Sequence, residues 1–164
     1  MILDVKQIIN VPGGRIPFDY TEDFSDVDFG GVRPAVRPVS VVGQVRNEAG
    51  MLSLRLELVT TLSAVCDRCG DAFDQPYHVL FECLLAAELE DEDNDEIRLL
   101  DHDAVDLSDL AREAFILNMP TKTLCREDCR GLCSGCGANL NHEVCRWKKE
   151  VDPRFAALAK LLDQ

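Results

Sequence analysis

The sequence contains no run of about 18 uncharged apolar residues, so a membrane-spanning helix is excluded at this stage. The first ten residues also lack the pattern of a secretory leader, because Asp4 and Lys6 interrupt their short apolar alternation. Secretion by the usual route is therefore not expected, and we predict a cytoplasmic protein without membrane contact.

Motifs that carry enzyme chemistry are missing as well. The chain has no Ser-His-Asp set, no phosphate-binding loop and no carboxylate pair at a motif spacing. His78 and His102 have no ligand-like neighbours and are expected at the surface. We predict no catalytic residue, and we expect that the chain is not an enzyme.

Basic residues are scarce, with 17 Lys and Arg against 30 Asp and Glu and a net charge of −13. This balance argues against sequence-blind binding to nucleic acid. The shortage is uneven: residues 122–164 hold eight bases and six acids (+2), and residues 1–121 hold nine bases and 24 acids (−15). The acidic run over residues 88–96 predicts either a solvated loop or a surface for a basic protein.

Strand patterns fill the middle of the chain. Residues 39–46 and 52–65 have alternating apolar positions, and the turn signal at residues 47–50 joins them. In the third pattern, over residues 76–87, Cys83 lies on the apolar face and is predicted to pack in the core. The last two strands predict a hairpin whose tip, residues 66–70, carries two thiols.

The remaining segments complete the predicted fold. Residues 1–10 predict a strand, residues 12–38 a long loop rich in Pro and Gly, and residues 97–100 a short edge strand. A helix is predicted between a cap at Asp106 or Ser108 and Pro120, and a second helix after Pro153. We predict an α+β fold with an antiparallel sheet or partly open barrel, one or two helices and a C-terminal zinc-knuckle segment.

The predicted organisation has two parts. Residues 1–118 form a β-rich domain with an acidic loop and a helix. Residues 119–164 form a cysteine-rich segment with a terminal helix, which docks on the tip at residues 66–70.

The eight cysteines contain two copies of the motif C-x-x-C-G, at residues 66–70 and 133–137. Such a turn is a metal knuckle, because two thiolates converge and the glycine tolerates a positive φ. Two knuckles with further thiols at Cys125, Cys129 and Cys145 predict metal binding, and His142 is a candidate nitrogen ligand.

Thiols at these spacings have three other interpretations. The lack of a leader argues against disulfides. A thioredoxin-like pair belongs at a strand-to-helix junction, whereas Cys66 and Cys69 lie between two strand patterns. An iron–sulfur cluster uses the same ligands and stays open. We adopt zinc, which closed thiolate sites commonly hold.

An ordered set of motifs resembles the YceD family, the large ribosomal RNA subunit accumulation proteins of bacteria and plastids. The resemblance covers about residues 60–164. Its motifs are Cys66-Asp67-Arg68-Cys69-Gly70, Met119-Pro120, residues 124–137, Asn139-Leu140-Asn141 and residues 152–158. It implies a role in accumulation or processing of 23S ribosomal RNA and in assembly of the large ribosomal subunit.

The resemblance also implies a ligand pairing. Members that lack the later knuckle imply one site of Cys66, Cys69, Cys125 and Cys129. Fuller members end with C-x-C, but here Trp147 stands at the second position after Cys145. The second site then has Cys133, Cys136 and Cys145, with His142 as the candidate fourth ligand. A rival pairing joins the two knuckles.

Two modes of action stay open. In the first, precursor 23S RNA contacts a basic face that contains an aromatic ring for base stacking. The predicted contacts are Arg68, Lys122, Arg126, Arg130, Arg146, Trp147, Lys148 and Lys149. In the second, the acidic surface binds a basic ribosomal protein or rRNA-processing factor without direct RNA contact.

Overall fold

Seven strands and two helices occur in the residues that the computed structural model describes, 1–87 and 97–147. The strands are β1 (Ile2–Asp4), β2 (Arg15–Glu22), β3 (Val39–Glu48), β4 (Met51–Val65), β5 (Ala72–Ala86), β6 (Ile97–Leu99) and β7 (Ala104–Asp106). The helices are α1 (Lys6–Ile9) and α2 (Leu107–Leu117). Within the described residues, no helix has the length and apolar character needed to cross a membrane.

The chain divides into two units. The first comprises Met1–Ala64 and Phe73–Thr121, and the second comprises Val65–Ala72 and Lys122–Gln164. The structure describes residues 65–72 and 122–147 of the second unit. The predicted division into residues 1–118 and 119–164 stays a prediction, and the predicted terminal helix lies outside the described residues.

Strands β2 to β6 form one sheet in sequential order. The pairs β2–β3 and β3–β4 are antiparallel, but β6 runs parallel to β5. The predicted antiparallel sheet is confirmed for these two pairs and is wrong for β6. A tight turn would impose antiparallel pairing, but ten residues, 87–96, separate β5 from β6 in the sequence. Among the described strands the order ends at β2 and β6, so the sheet does not close into a barrel.

Two predicted elements near the start of the chain are corrected. The predicted loop over residues 12–38 contains β2, whose alternation is masked by neighbouring Pro and Gly. Pro17 is tolerated there because β2 is an edge strand, where a missing N–H costs little. The predicted strand over residues 1–10 reaches only Asp4, since Val5 and Ile8 are buried at helical spacing around α1. Strand β7, which pairs with β1, was not predicted.

The β3–β4 hairpin follows the predicted pattern. Glu48 pairs with Met51, and the two residues between them, Ala49 and Gly50, have φ of 56° and 96°. A positive φ at both positions belongs to the tight turn that matches strand twist. The buried Asn47 amide donates to the carbonyls of Ile8 and Ile9 at 2.8 and 2.7 Å, so the hairpin is bonded to α1.

Helix α2 covers the core of the first unit. Its predicted cap is confirmed, since the Asp106 carboxylate accepts from the Ser108 N–H at 2.9 Å. Phe115 is fully buried, and its ring centroid lies 5.1 Å from those of both Phe24 and Tyr77. The predicted core position of Cys83 is confirmed, and burial raises the pKa of its thiol to about 11.

Candidate metal centre

The two C-x-x-C-G turns have the same backbone hydrogen bonds. In the first, the N–H of Gly70 donates to the Cys66 carbonyl at 2.9 Å. In the second, the N–H of Gly137 donates to the Cys133 carbonyl at 2.9 Å. The two glycines have φ of 74° and 73°, which L side chains adopt only under strain. The predicted positive φ at the end of each knuckle is therefore confirmed.

Four thiols of the second unit converge in what we call the first thiol group. Its ligand atoms all lie within 4.8 Å of one another, and its members are Cys66, Cys69, Cys125 and Cys129. The Sγ atoms of Cys66 and Cys129 are 3.8 Å apart, and those of Cys69 and Cys125 are 3.7 Å apart. This group is the set implied by the family resemblance, whereas the rival set with both knuckles is not brought together.

These distances fit a single tetrahedral ion. Four thiolates at about 2.3 Å from one zinc ion have sulfurs about 3.8 Å apart. In a [4Fe–4S] cluster each thiolate binds a separate iron, so the four sulfurs stand further apart than the ligands of one ion. Backbone N–H groups, that of Cys125 first, lower the pKa of the Cys66 thiol to about 6. A lowered pKa favours the thiolate form, which is the form that binds a metal ion.

The segment that carries Cys125 and Cys129 is held against the first knuckle by paired hydrogen bonds. The N–H of Asp67 donates to the Thr123 carbonyl at 2.9 Å, and the Thr123 N–H donates to the Asp67 carboxylate at 2.6 Å. Gly131 approaches the knuckle so closely that an added Cβ would lie 2.9 Å from the Arg68 carbonyl oxygen. These contacts bring Cys125 and Cys129 to Cys66 and Cys69, although more than 50 residues separate the pairs in sequence.

Asp71 organises the surroundings of the first thiol group. Its carboxylate accepts from the Cys69 thiol at 3.3 Å, from the Asn139 amide at 3.0 Å and from His142 Nε2 at 3.0 Å. The His142 imidazole, followed by the Cys69 and Asn139 hydrogen bonds, lowers the pKa of Asp71. A lowered carboxyl pKa contributes stability above the unfolded pKa, and that stability is lost as the pH falls through the folded pKa.

Two asparagines complete this network. The Asn141 amide donates to the Cys129 sulfur at 3.3 Å and to the Asn139 side-chain oxygen at 3.0 Å. The Asn141 side-chain oxygen accepts from the Arg130 N–H at 2.9 Å. We assigned no role to Asp71, Asn139 or Asn141 from the sequence. The motif Asn139-Leu140-Asn141 in the family resemblance was the available signal.

Replacing Asp71 by Asn is expected to weaken zinc binding at the first thiol group about 10–100-fold, as loss of an outer-shell partner typically does. With zinc bound, the Cys69 thiolate has no proton to donate, so the carboxylate accepts from Asn139 and His142, and the neutral amide is a weaker acceptor for both. Competition with a chromophoric chelator measures the change. Asp74→Asn is the matched control, because Asp74 is an exposed partner of Arg37 in the first unit. Equal affinities for the two variants would contradict this role of Asp71.

Three further thiols converge in the second thiol group, made of Cys133, Cys136 and Cys145. The Sγ of Cys145 lies 3.2 Å from that of Cys133 and 3.9 Å from that of Cys136. His142, the candidate fourth ligand, contacts Asp71 and is not among the grouped ligand atoms. The eight cysteines of the chain are free thiols.

Two of the predicted RNA-contact residues make hydrogen bonds to the loops of this unit. Arg68 donates to the carbonyls of Glu127 and Cys129, each at 3.1 Å. Arg126 donates to the Asn141 side chain at 2.8 Å and pairs with Asp128 at 3.3 Å.

Trp147 lies against the second knuckle. Its indole ring is so close to Gly135 that an added Cβ would overlap the ring carbons, although 45% of Trp147 stays exposed. Lys122, Arg130 and Arg146 are exposed, and Lys148 and Lys149 lie outside the described residues.

Comparison with known protein families shows to which family the chain belongs. Residues 54–162, about two thirds of the chain, match the family described as large ribosomal RNA subunit accumulation protein YceD. The chain belongs to the YceD family. The resemblance predicted from the sequence is confirmed, and the matched residues include every thiol of both groups.

Three relatives of this YceD-family chain are similar to it over different lengths. Uncharacterised proteins of Mycobacterium bovis and Mycobacterium tuberculosis are each 34% identical over 70 residues, 43% of this chain and 34% of theirs. The chain thus spans about a third of the length of these relatives. The uncharacterised protein YlbN of Bacillus subtilis is 23% identical over 98% of this chain and 95% of its own. No solved structure matches the chain.

Proposed function

We propose that the chain is a non-enzymatic zinc-binding factor that supports accumulation or processing of 23S ribosomal RNA and assembly of the large ribosomal subunit. The observation that carries the proposal is the family match over residues 54–162, which contains the complete first thiol group. Since bacterial ribosomes assemble in the cytoplasm, the proposal places the protein there.

Zinc in the first thiol group has a structural role in this proposal. Four thiolates make a closed site, which leaves no position for a substrate. Three of the four, Cys66, Cys69 and Cys129, are buried. A zinc ion there supplies a cross-link between distant parts of the chain and contributes to folding of the second unit.

Contact with a protein partner is favoured over contact with RNA as the mode of action. Two of the predicted RNA-binding arginines, Arg68 and Arg126, are bonded to carbonyls or side chains of their own unit. The remaining exposed bases of the described second unit are few: Lys122, Arg130 and Arg146. The negative charge of residues 1–121 repels phosphate and attracts a basic ribosomal protein or processing factor.

Deletion of the gene from its host is expected to lower 23S relative to 16S ribosomal RNA, measured by blotting and by subunit profiles on sucrose gradients. A Cys83→Ala copy restores the ratio, because Cys83 is a core thiol outside both groups. A Cys129→Ser copy does not. An unchanged ratio after deletion would refute the proposed role.

The partner class is tested with the tagged chain in lysate. Partners retained after nuclease treatment indicate a protein contact, and partners lost indicate RNA. Direct RNA contact additionally requires that reversal of Lys122, Arg130 and Arg146 to Glu abolish binding of precursor 23S RNA, while Arg33→Glu in the first unit leaves it unchanged.

A further inference from the structure

Among the residues that the structure describes, the second thiol group has one protein ligand fewer than the first. Within residues 1–87 and 97–147, Cys133, Cys136 and Cys145 are grouped with no fourth Cys, His, Asp or Glu. His142 lies three residues after Asn139, and like Asn139 it is bonded to the Asp71 carboxylate, at 3.0 Å. The His142 side chain is therefore bonded to Asp71, beside the first thiol group, and is not grouped with the thiols of the second.

The second group also differs from the first in its exposure. Cys136 is exposed, and Cys133 and Cys145 are half-buried, whereas three members of the first group are buried. Trp147 covers the Gly135 side of the second knuckle. The Cys136 side borders a groove of about 860 Å³ whose lining includes Asn139, Glu143 and Arg146. A ligand from solution thus reaches the group from this side.

We propose that the second thiol group holds a zinc-class ion through three protein thiolates and that its fourth ligand is a low-molecular-weight thiol bearing an ammonium and a carboxylate group. This inference goes beyond the proposed ribosomal role and does not depend on it.

The side chains that line the groove beside Cys136 favour a small thiol with both an ammonium and a carboxylate group. Thiolate ligands favour soft or borderline ions, and a fourth thiolate completes the tetrahedral set that such ions adopt. The groove presents one positive and one negative side chain, Arg146 and Glu143. A zwitterionic thiol complements both charges. On binding, its sulfur displaces a solvent ligand and its proton passes to solvent, so no oxidant or reductant is required.

If the second thiol group has a replaceable fourth ligand and the first does not, the two bound zinc ions should be released at different rates. An ion with a replaceable fourth ligand exchanges by substitution at that position, whereas the closed first group must break a protein–metal bond. Full-length zinc-loaded protein mixed with a chromophoric chelator is expected to release one equivalent at least about tenfold faster than the other. Cys145→Ser removes the fast phase and leaves the slow phase in place. A single phase of two equivalents in the unaltered chain would overturn the proposal.

The identity of the fourth ligand is tested with cobalt-loaded protein, whose absorption reports the number of thiolates. Free L-cysteine is expected to raise the sulfur-to-cobalt band of the second group without changing bound cobalt. L-Serine, which lacks the thiol, leaves the band unchanged. Cysteamine, which lacks the carboxylate, binds more weakly. Equal responses to cysteine and serine would exclude an exogenous thiol.

Replacing Trp147 by Cys supplies a fourth thiolate from the chain. It is expected to convert the fast phase to a slow one and to abolish the response to free cysteine, while Trp147→Ser, which loses only the indole, does neither. His142→Ala and the pair Glu150→Gln with Asp152→Asn are expected to keep the second-group spectrum. Loss of that spectrum in either variant would assign the fourth ligand to the chain and defeat the proposal.

Discussion

Replacing Cys129 by Ser is expected to remove one zinc ion per chain and to unfold the second unit, while the first unit keeps its structure. Cys129 is buried in the first thiol group, and its sulfur lies 3.8 Å from that of Cys66. Structural zinc contributes about 10–16 kcal/mol of apparent binding free energy in small zinc domains, where it is coupled directly to folding. Losing one of four thiolates therefore has a large effect on the unit that the ion holds together.

The control for this variant is Cys83→Ala, which removes a buried thiol outside both groups. Metal content is measured by mass spectrometry of the native protein, and hydrogen exchange reports folding of each unit. The Cys129→Ser variant loses protection in residues 65–72 and 122–147, and the Cys83→Ala variant keeps both zinc and protection there. Full zinc content in Cys129→Ser would contradict the ligand set.

Replacing Phe115 by Ala is expected to destabilise the first unit by about 3–5 kcal/mol, because a buried aromatic side chain is lost and a cavity remains. Phe115 is fully buried between the rings of Phe24 and Tyr77. Its carbonyl accepts a hydrogen bond of 2.7 Å from the Tyr77 hydroxyl, which keeps the partner ring in place. This loss is a large share of the roughly 5–15 kcal/mol that typically stabilise a domain.

The neighbouring variant Ile116→Ala provides the matched control. Ile116 lies on the same helix and is 40% exposed, so its truncation is expected to change stability by only about 0.5 kcal/mol. Urea unfolding followed by circular dichroism gives both values. Equal losses at the two positions would show that α2 does not pack as described.

Patterns with a strong local cause were predictable from the sequence. The alternation over β4 and the turn at Ala49 and Gly50 follow from the two-residue period of a strand and from the φ that a tight turn requires. The cap of α2 at Asp106 follows from the unpaired N–H groups of its first turn. In each case neighbours in sequence supply the physical reason, so the sequence suffices.

Elements whose stability comes from distant partners were harder to predict. Strand β2 is too interrupted by Pro and Gly to show its pattern, and it forms because β3 offers a complete ladder of partners. The direction of β6 depends on whether the connection after β5 returns the chain to the other end of the sheet, and hydrophobic period alone does not determine this. The role of Asn139 depends on a carboxylate at Asp71, about 70 residues earlier in the chain.

Basic residues are scarce in the sequence, and the structure shows that two of the predicted RNA-contact arginines are bonded within their own unit. The sequence by itself determined the acidic balance, the two C-x-x-C-G knuckles and membership of the YceD family, because these depend on residue types and on short spacings. Only the tertiary structure decided which thiols meet, and that Arg68 and Arg126 bond to their own unit. The physical reason is that a metal site and a hydrogen-bond network join residues far apart along the chain, and folding alone brings them within contact distance.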